Sequence, residues 1–173
     1  MSGFAEFEPR VQSARVPVLV RAAADADIDD IVRIQQRAGR SVRPDGYRRA
    51  IADPDRCVLT AMATAPDGTS VVVGWGQTHH RTVATDPAPV GHYLGGVTVD
   101  PSWRRRGVAA TLTQARIEWI AERAPEAYYV VNARNRASIE LHRRWEFVEV
   151  ARAARLAGTS FDGGVGLLMR AAW

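Results

Sequence analysis

The sequence predicts a mixed α/β (α+β) domain in which helices sit between early and late strands. Three observations carry that reading. A Pro-Asp-Gly turn separates two apolar runs, a strand, helix, strand succession runs from His92 to Val131, and apolar residues recur at helical spacing in the segments between. The 173 residues, 46% hydrophobic, suffice for one sizeable core. Residues 17–173 are read as a single domain behind an N-terminal arm, residues 1–16, whose charges follow no period.

Val18 to Ala22 is the first strand. Asp25 then precedes Ile28, Ile31, Val32, Ile34 and Gln35, a helical spacing with acids in the first turn and Arg33 and Arg37 later, as the helix dipole prefers. A second helix is expected from Pro44 to Ile51, with proline in its first turn. Cys57 to Ala63 and Ser70 to His80 form a hairpin across Ala65-Pro66-Asp67-Gly68-Thr69. Thr82 to Gly91 reads as a loop, and His92 to Val99 as the next strand. Val108, Leu112, Ala115, Trp119 and Ile120 fall on one helical face, closed by Pro125, and Ala127 to Val131 follows as a buried strand. Strand, helix, strand in one sheet implies parallel neighbours with a right-handed crossover. Asn135 caps a helix that runs to about Trp145, and strands from Phe147 to Arg155 and Val165 to Arg170 end the chain.

Composition narrows the function. All 23 basic residues are arginine, so a Schiff-base lysine and a Walker-type phosphate lysine are excluded. The net charge of +4 is interleaved with 19 acids and forms no sustained basic stripe for nucleic acid outside 104–106. The lone Cys57 lies in an apolar run and reads as packing, and no metal site is expected. The longest apolar runs fall far short of the roughly 20 residues that span a bilayer. Met1-Ser2-Gly3-Phe4-Ala5-Glu6 lacks the basic and apolar regions of a secretory signal, so a cytoplasmic location is expected. Five tryptophans and exposed strand ends are compatible with a homodimer.

The segment Arg104-Arg105-Arg106-Gly107-Val108-Ala109 puts three guanidinium groups at a helix start, where the dipole is already positive. N–H groups of such a turn lack intrahelical acceptors and converge outside the helix end, and glycine lets a ligand approach the main chain closely. The anion that fits is a phosphate or pyrophosphate. It is not a nucleoside triphosphate loop, because GxxxxGK[ST] is absent, as is GxGxxG.

These residues, preceded by Val99-Asp100-Pro101, resemble the pyrophosphate loop of the GNAT-type N-acetyltransferases, Gln/Arg-x-x-Gly-x-Gly/Ala. Asn135-Arg136-Ala137-Ser138-Ile139-Glu140-Leu141-His142, followed by Phe147, is similar to the family's Asn-x-x-Ala/Ser-x-x-Leu-Tyr…Gly-Phe. The resemblance implies a mixed, mostly antiparallel sheet of six to seven strands, flanked by about four helices and splayed between the fourth strand, ending at Val99, and the fifth, ending near Asn132. It implies that acetyl-CoA is cosubstrate in that gap. Main-chain groups of Val97, Thr98 and Val99 would pair with the pantetheine arm, an N–H there would stabilise the thioester oxyanion, and Asn135 and Ser138 would lie near the cofactor. Asn135 also fits a plain helix cap, and Ser138 a small packing residue.

Two departures from the family pattern matter. His142 stands where many members have the tyrosine that protonates the leaving thiolate, and histidine's ordinary pKa of about 6.5 suits that task. Glu146 replaces the usual glycine before Phe147, so the helix ends without a left-handed residue or at some strain. The carboxylate that many relatives carry on strand four falls at Gly95 or Gly96 here, so a direct carboxylate is lacking and a water chain enters, with His79, His80 and His92 as candidates near the acceptor side. Adjacent strand residues face opposite sides, so at most one of His79 and His80 can serve, and His80 is the candidate. The implied activity is direct acetyl transfer to a primary amine. A chain that binds acyl-CoA without turnover would share every cofactor contact.

Overall fold

The computed structural model describes residues 14–173. Most of the arm read as 1–16 therefore lies outside the described residues. These residues divide into two compact units, one from residues 14–78 and Gly95–Arg116, the other from His79–Leu94 and Ile117–Trp173.

The first unit opens with β1 (Leu19–Ala22), a 3-10 turn (Asp25–Asp27), α1 (Ile28–Arg37), α2 (Pro44–Ala52) and β2 (Val58–Thr64), and takes in most of β3 (Ser70–Arg81). β4 (Gly91–Val99) and α3 (Val108–Ala121) are each shared with the second unit. The turn before α1 forms because Asp27 is a buried carboxylate with a bidentate partner: Arg21 donates to both of its oxygens at 2.7 Å, and Ala24 N donates at 2.7 Å. α1 and α2 bury Ile31, Ile34, Tyr47 and Ala50 against Val58, Val72 and Trp75. Each large side chain so buried contributes about 1.5–3 kcal/mol. β2 pairs antiparallel with β1 and with β3, with a register shift between Ala61 and Met62.

The second unit contains β5 (Glu126–Asn132), α4 (Arg136–His142) with a 3-10 continuation (Arg143–Trp145), β6 (Val148–Ala153), β7 (Arg155–Leu156), β8 (Thr159–Ser160) and β9 (Gly166–Ala172). β5 and β6 each pair antiparallel with β9, whereas β4 and β5 are parallel, in register at Tyr93↔Tyr128. The main sheet has seven strands in the order β1-β2-β3-β4-β5-β9-β6. The predicted class and the parallel strand, helix, strand unit are thus observed.

Three local readings change. The strand expected from Phe147 to Arg155 stops at Ala153, and Arg155–Leu156 instead pairs with Thr159–Ser160 across Ala157 and Gly158, both at positive φ. The helix expected to reach Trp145 tightens into its 3-10 turn after His142. The buried face of α3 is Val108, Leu112, Thr113, Arg116, Ile117 and Ile120, while Ala115 and Trp119 are half-buried. The helix is rotated because Arg116, fully buried, turns inward onto main-chain carbonyls.

Candidate active site

In the first unit the chain leaves β4 through Asp100, which is 3% exposed. Its carboxylate accepts from Ser102 N at 3.0 Å and Ser102 Oγ at 2.6 Å, starting the 3-10 turn at Pro101–Trp103. Arg33 Nη1 at 3.3 Å and Arg37 Nε at 3.0 Å approach the same carboxylate from α1. The turn into α3 is thereby anchored to a neighbouring helix.

Beyond that anchor, Arg105 has φ +64° and Gly107 φ +89°, two left-handed residues that make a concave run of main chain. The first bond of the helix is donated by Thr111 N to Gly107 O at 3.1 Å, so the N–H groups from Gly107 to Ala110 precede it and point out of the helix end. Val108 is buried at 1% exposure. α3 can seat this closely because residue 74 is glycine: a Cβ there would meet Val108 Cγ1 at 3.1 Å, Thr98 O at 3.2 Å and Leu112 Cδ1 at 3.3 Å.

The predicted arginines surround this turn, and two more join them. Val16 N donates to Arg106 O at 3.1 Å, which sets the Arg15 side chain 3.6 Å from where a Cβ on Gly107 would stand. Arg106 stacks over Trp103 at 5.2 Å. Burial, followed by the Arg104 charge, holds the Arg40 guanidinium below its ordinary pKa. Among the described residues, Arg15, Arg40, Arg104 and Arg106 meet no carboxylate within 4.0 Å. Uncompensated cations around outward-facing N–H groups fit a phosphate group. Arg15 and Arg40 escaped the sequence reading because neither lies near the loop in sequence, and nothing in their own segments marks them.

Deeper in the same unit, Arg116 is fully buried with neutral acceptors only: Gln77 O at 3.2 Å, Gly95 O at 3.0 Å, Leu112 O at 3.2 Å and Thr113 Oγ1 at 2.9 Å. Burial lowers its pKa to about 10, which leaves it cationic at neutral pH. It fastens the β3 and β4 main chain at Gln77 and Gly95, just before Val97, Thr98 and Val99. Thr98 and Val99 are buried and Val97 half-buried. Gly95 and Gly96 hold no carboxylate, as read from sequence.

In the second unit Asn135 Oδ1 accepts from Ser138 N at 3.1 Å, so Asn135 caps α4. His142 is 4% exposed, its ring stacked on Tyr129 at 4.3 Å. His142 Nδ1 lies 2.8 Å from Ser138 O. A carbonyl only accepts, so Nδ1 carries the proton. Ser138 Oγ stands 3.5 Å from the same nitrogen. Glu146 closes the turn at φ +56°, so the left-handed conformation is kept without glycine. His80 is exposed and stacked on His92 at 4.4 Å, and His92 meets Trp119 edge-on at 5.6 Å. Cys57 is buried and makes no disulfide. Among the described residues no cluster of metal ligands occurs, and no helix is long and apolar enough to cross a membrane.

No curated protein sequence matches the chain. Solved structures share its fold. Arabidopsis thaliana NAA60 in complex with acetyl-CoA superposes with a TM-score of 0.72 at 18% identity, over 90% of this chain and 98% of that one. The ribosomal-protein-alanine N-acetyltransferase of Brucella melitensis gives 0.69 at 24% identity, covering 90% and 99%. The ribosomal-protein-S18-alanine N-acetyltransferase of Escherichia coli gives 0.67 at 16% identity, covering 90% and 94%. At these identities the likeness speaks to fold alone. The sequence itself matches the Acetyltransferase (GNAT) family over residues 28–147, which takes in α1, the arginine-rich turn and α4, and the chain belongs to that family.

Proposed function

We propose that the chain transfers the acetyl group of acetyl-CoA directly to a primary amine of a small molecule or peptide, residues 17–173 acting as one acetyltransferase domain in the cytoplasm. The observation that carries this reading is the turn before α3, where left-handed Arg105 and Gly107, outward N–H groups and uncompensated guanidinium groups coincide. Arg104, Arg105, Arg106, Gly107, Val108 and Ala109 hold the pyrophosphate. The main chain of Val97, Thr98 and Val99 pairs with the pantetheine arm, and one of its N–H groups takes the thioester oxyanion. Asn135 and Ser138 lie beside the cofactor.

The neutral amine attacks the thioester carbon, a C–N bond forms, and the C–S bond breaks. His142 as imidazolium gives its outer proton to the leaving thiolate. His80 takes the proton that the new amide nitrogen sheds. With no carboxylate at Gly95 or Gly96, most of the rate comes from holding the amine within about 3–3.5 Å of the thioester carbon. Cys57, buried in the core, forms no acyl intermediate.

The test is thiol release from acetyl-CoA with aminoglycosides, polyamines, amino acids and peptides bearing free N-termini. The ribosomal-protein-alanine N-acetyltransferases among the fold neighbours place peptides first in that panel. Release with one acceptor class is expected. Binding of acetyl-CoA without release from any amine identifies an acyl-CoA-binding module instead, and no binding by calorimetry refutes both readings.

A further inference from the structure

Tyr129 carries a hydroxyl that the fold does not use. The residue is 3% exposed, and Oη is buried with no hydrogen-bond partner. The other three tyrosines each donate to an acceptor: Tyr47 to Ser41 O at 3.4 Å, Tyr93 to Pro89 O at 2.8 Å, and Tyr128 to Glu126 Oε1 at 2.6 Å. Leaving a buried hydroxyl unpaired costs stability that a phenylalanine ring at the same place would not.

The ring is held from two directions. It stacks on His142 at 4.3 Å and 26°, and meets Phe147 edge-on at 4.9 Å and 78°. Leu94, Ile117 and Val131 belong to the same buried cluster. Burial alone raises the phenol's pKa, so Oη–H is a permanent donor rather than a proton source. A rigid, dry, protonated donor beside the imidazole suits recognition of an oxygen that gains charge during a reaction.

We propose that Tyr129 Oη donates a hydrogen bond to the acyl-thioester end of bound acetyl-CoA, next to His142. This rests on acetyl-CoA being the cosubstrate, and the experiment separates the two claims. Tyr129→Phe keeps both ring contacts and removes only the hydroxyl. In urea titrations without ligand the variant is as stable as the wild type or more so. By calorimetry its dissociation constant for acetyl-CoA rises about fivefold, the worth of one ordinary hydrogen bond, while that for CoA, which lacks the acyl group, is unchanged. kcat with the best acceptor falls by roughly tenfold or more, toward the roughly hundredfold or greater loss seen for single oxyanion donors. Unchanged acetyl-CoA affinity and kcat overturn the inference and leave the hydroxyl to a buried water. Equal losses for acetyl-CoA and CoA overturn the assignment to the acyl end. A wild type that binds neither ligand removes the cosubstrate reading, and the inference with it.

Discussion

Gly107 and Arg105 both take the left-handed region within a single turn, at φ +89° and φ +64°. A Cβ on Gly107 would meet only Arg15 at 3.6 Å, an ordinary contact, so crowding does not require glycine there; φ +89° does. Gly107→Val forces a branched residue into that region at a cost of roughly 1–3 kcal/mol, or pulls the turn out of shape. The expected result is an acetyl-CoA dissociation constant at least about tenfold higher by calorimetry, equivalent to about 1.4 kcal/mol. Unaltered binding would remove the turn from the site. Asn135 permits a cleaner separation of roles, because its side chain demonstrably caps α4. Asn135→Ala should lower stability by about 1 kcal/mol in urea titrations, whereas Asn135→Asp keeps the cap. A direct cofactor contact predicts weaker acetyl-CoA binding in both variants. Wild-type binding by Asn135→Asp reduces the residue to its cap.

The elements differ in how far sequence could reveal them. The turn before α3 was legible because its arginines, glycine and following apolar residues are consecutive, and local order alone sets their convergence. α3 itself was read one step out of phase. An arginine in an amphipathic pattern is assigned to solvent, yet Arg116 is fully buried because carbonyls of Gln77 and Gly95 satisfy it, and both lie outside its helix. The Arg155–Ser160 hairpin was missed for a related reason, since Ala157 at φ +51° occupies a turn position where asparagine or glycine would have signalled. α4 ends in a departure that could be seen but not resolved. Glu146 sits at φ +56°, so the chain keeps the left-handed stop and bears its strain. Glu146→Gly relieves about 1–2 kcal/mol of that strain and returns part through the unfolded chain's greater freedom. A net gain of about 0.5–1 kcal/mol is expected in the urea midpoint. A loss of stability would mean that the glutamate side chain offsets its own backbone cost.

At the scale of the whole molecule, many of the described acids pair with arginine. Asp27 pairs with Arg21, Asp30 with Arg33 and Asp45 with Arg48. Composition could not disclose this pairing, only a net charge of +4 with 19 acids among 23 arginines. The pairing also sets the response to acid. Hydrogen bonds from Arg21 hold the Asp27 carboxyl below its ordinary value of 3.8, and at 5% side-chain exposure this carboxylate is almost as enclosed as that of Asp100 at 4%. A depressed folded pKa means that the unfolded chain binds the proton first, so the pair's contribution is complete above 3.8 and drains away as pH falls through the lower folded value. Glu126 adds in the same direction, its pKa lowered first by the Tyr128 hydroxyl and then by Arg170. Asp27→Asn should therefore lower the urea midpoint at pH 7 and flatten its dependence on acid. The wild-type and variant curves should converge only as pH falls below the lowered folded value, because protonated Asp27 no longer differs from asparagine in charge. Parallel curves over that range would show that the carboxylate's charge contributes nothing and that the turn before α1 is held by shape alone.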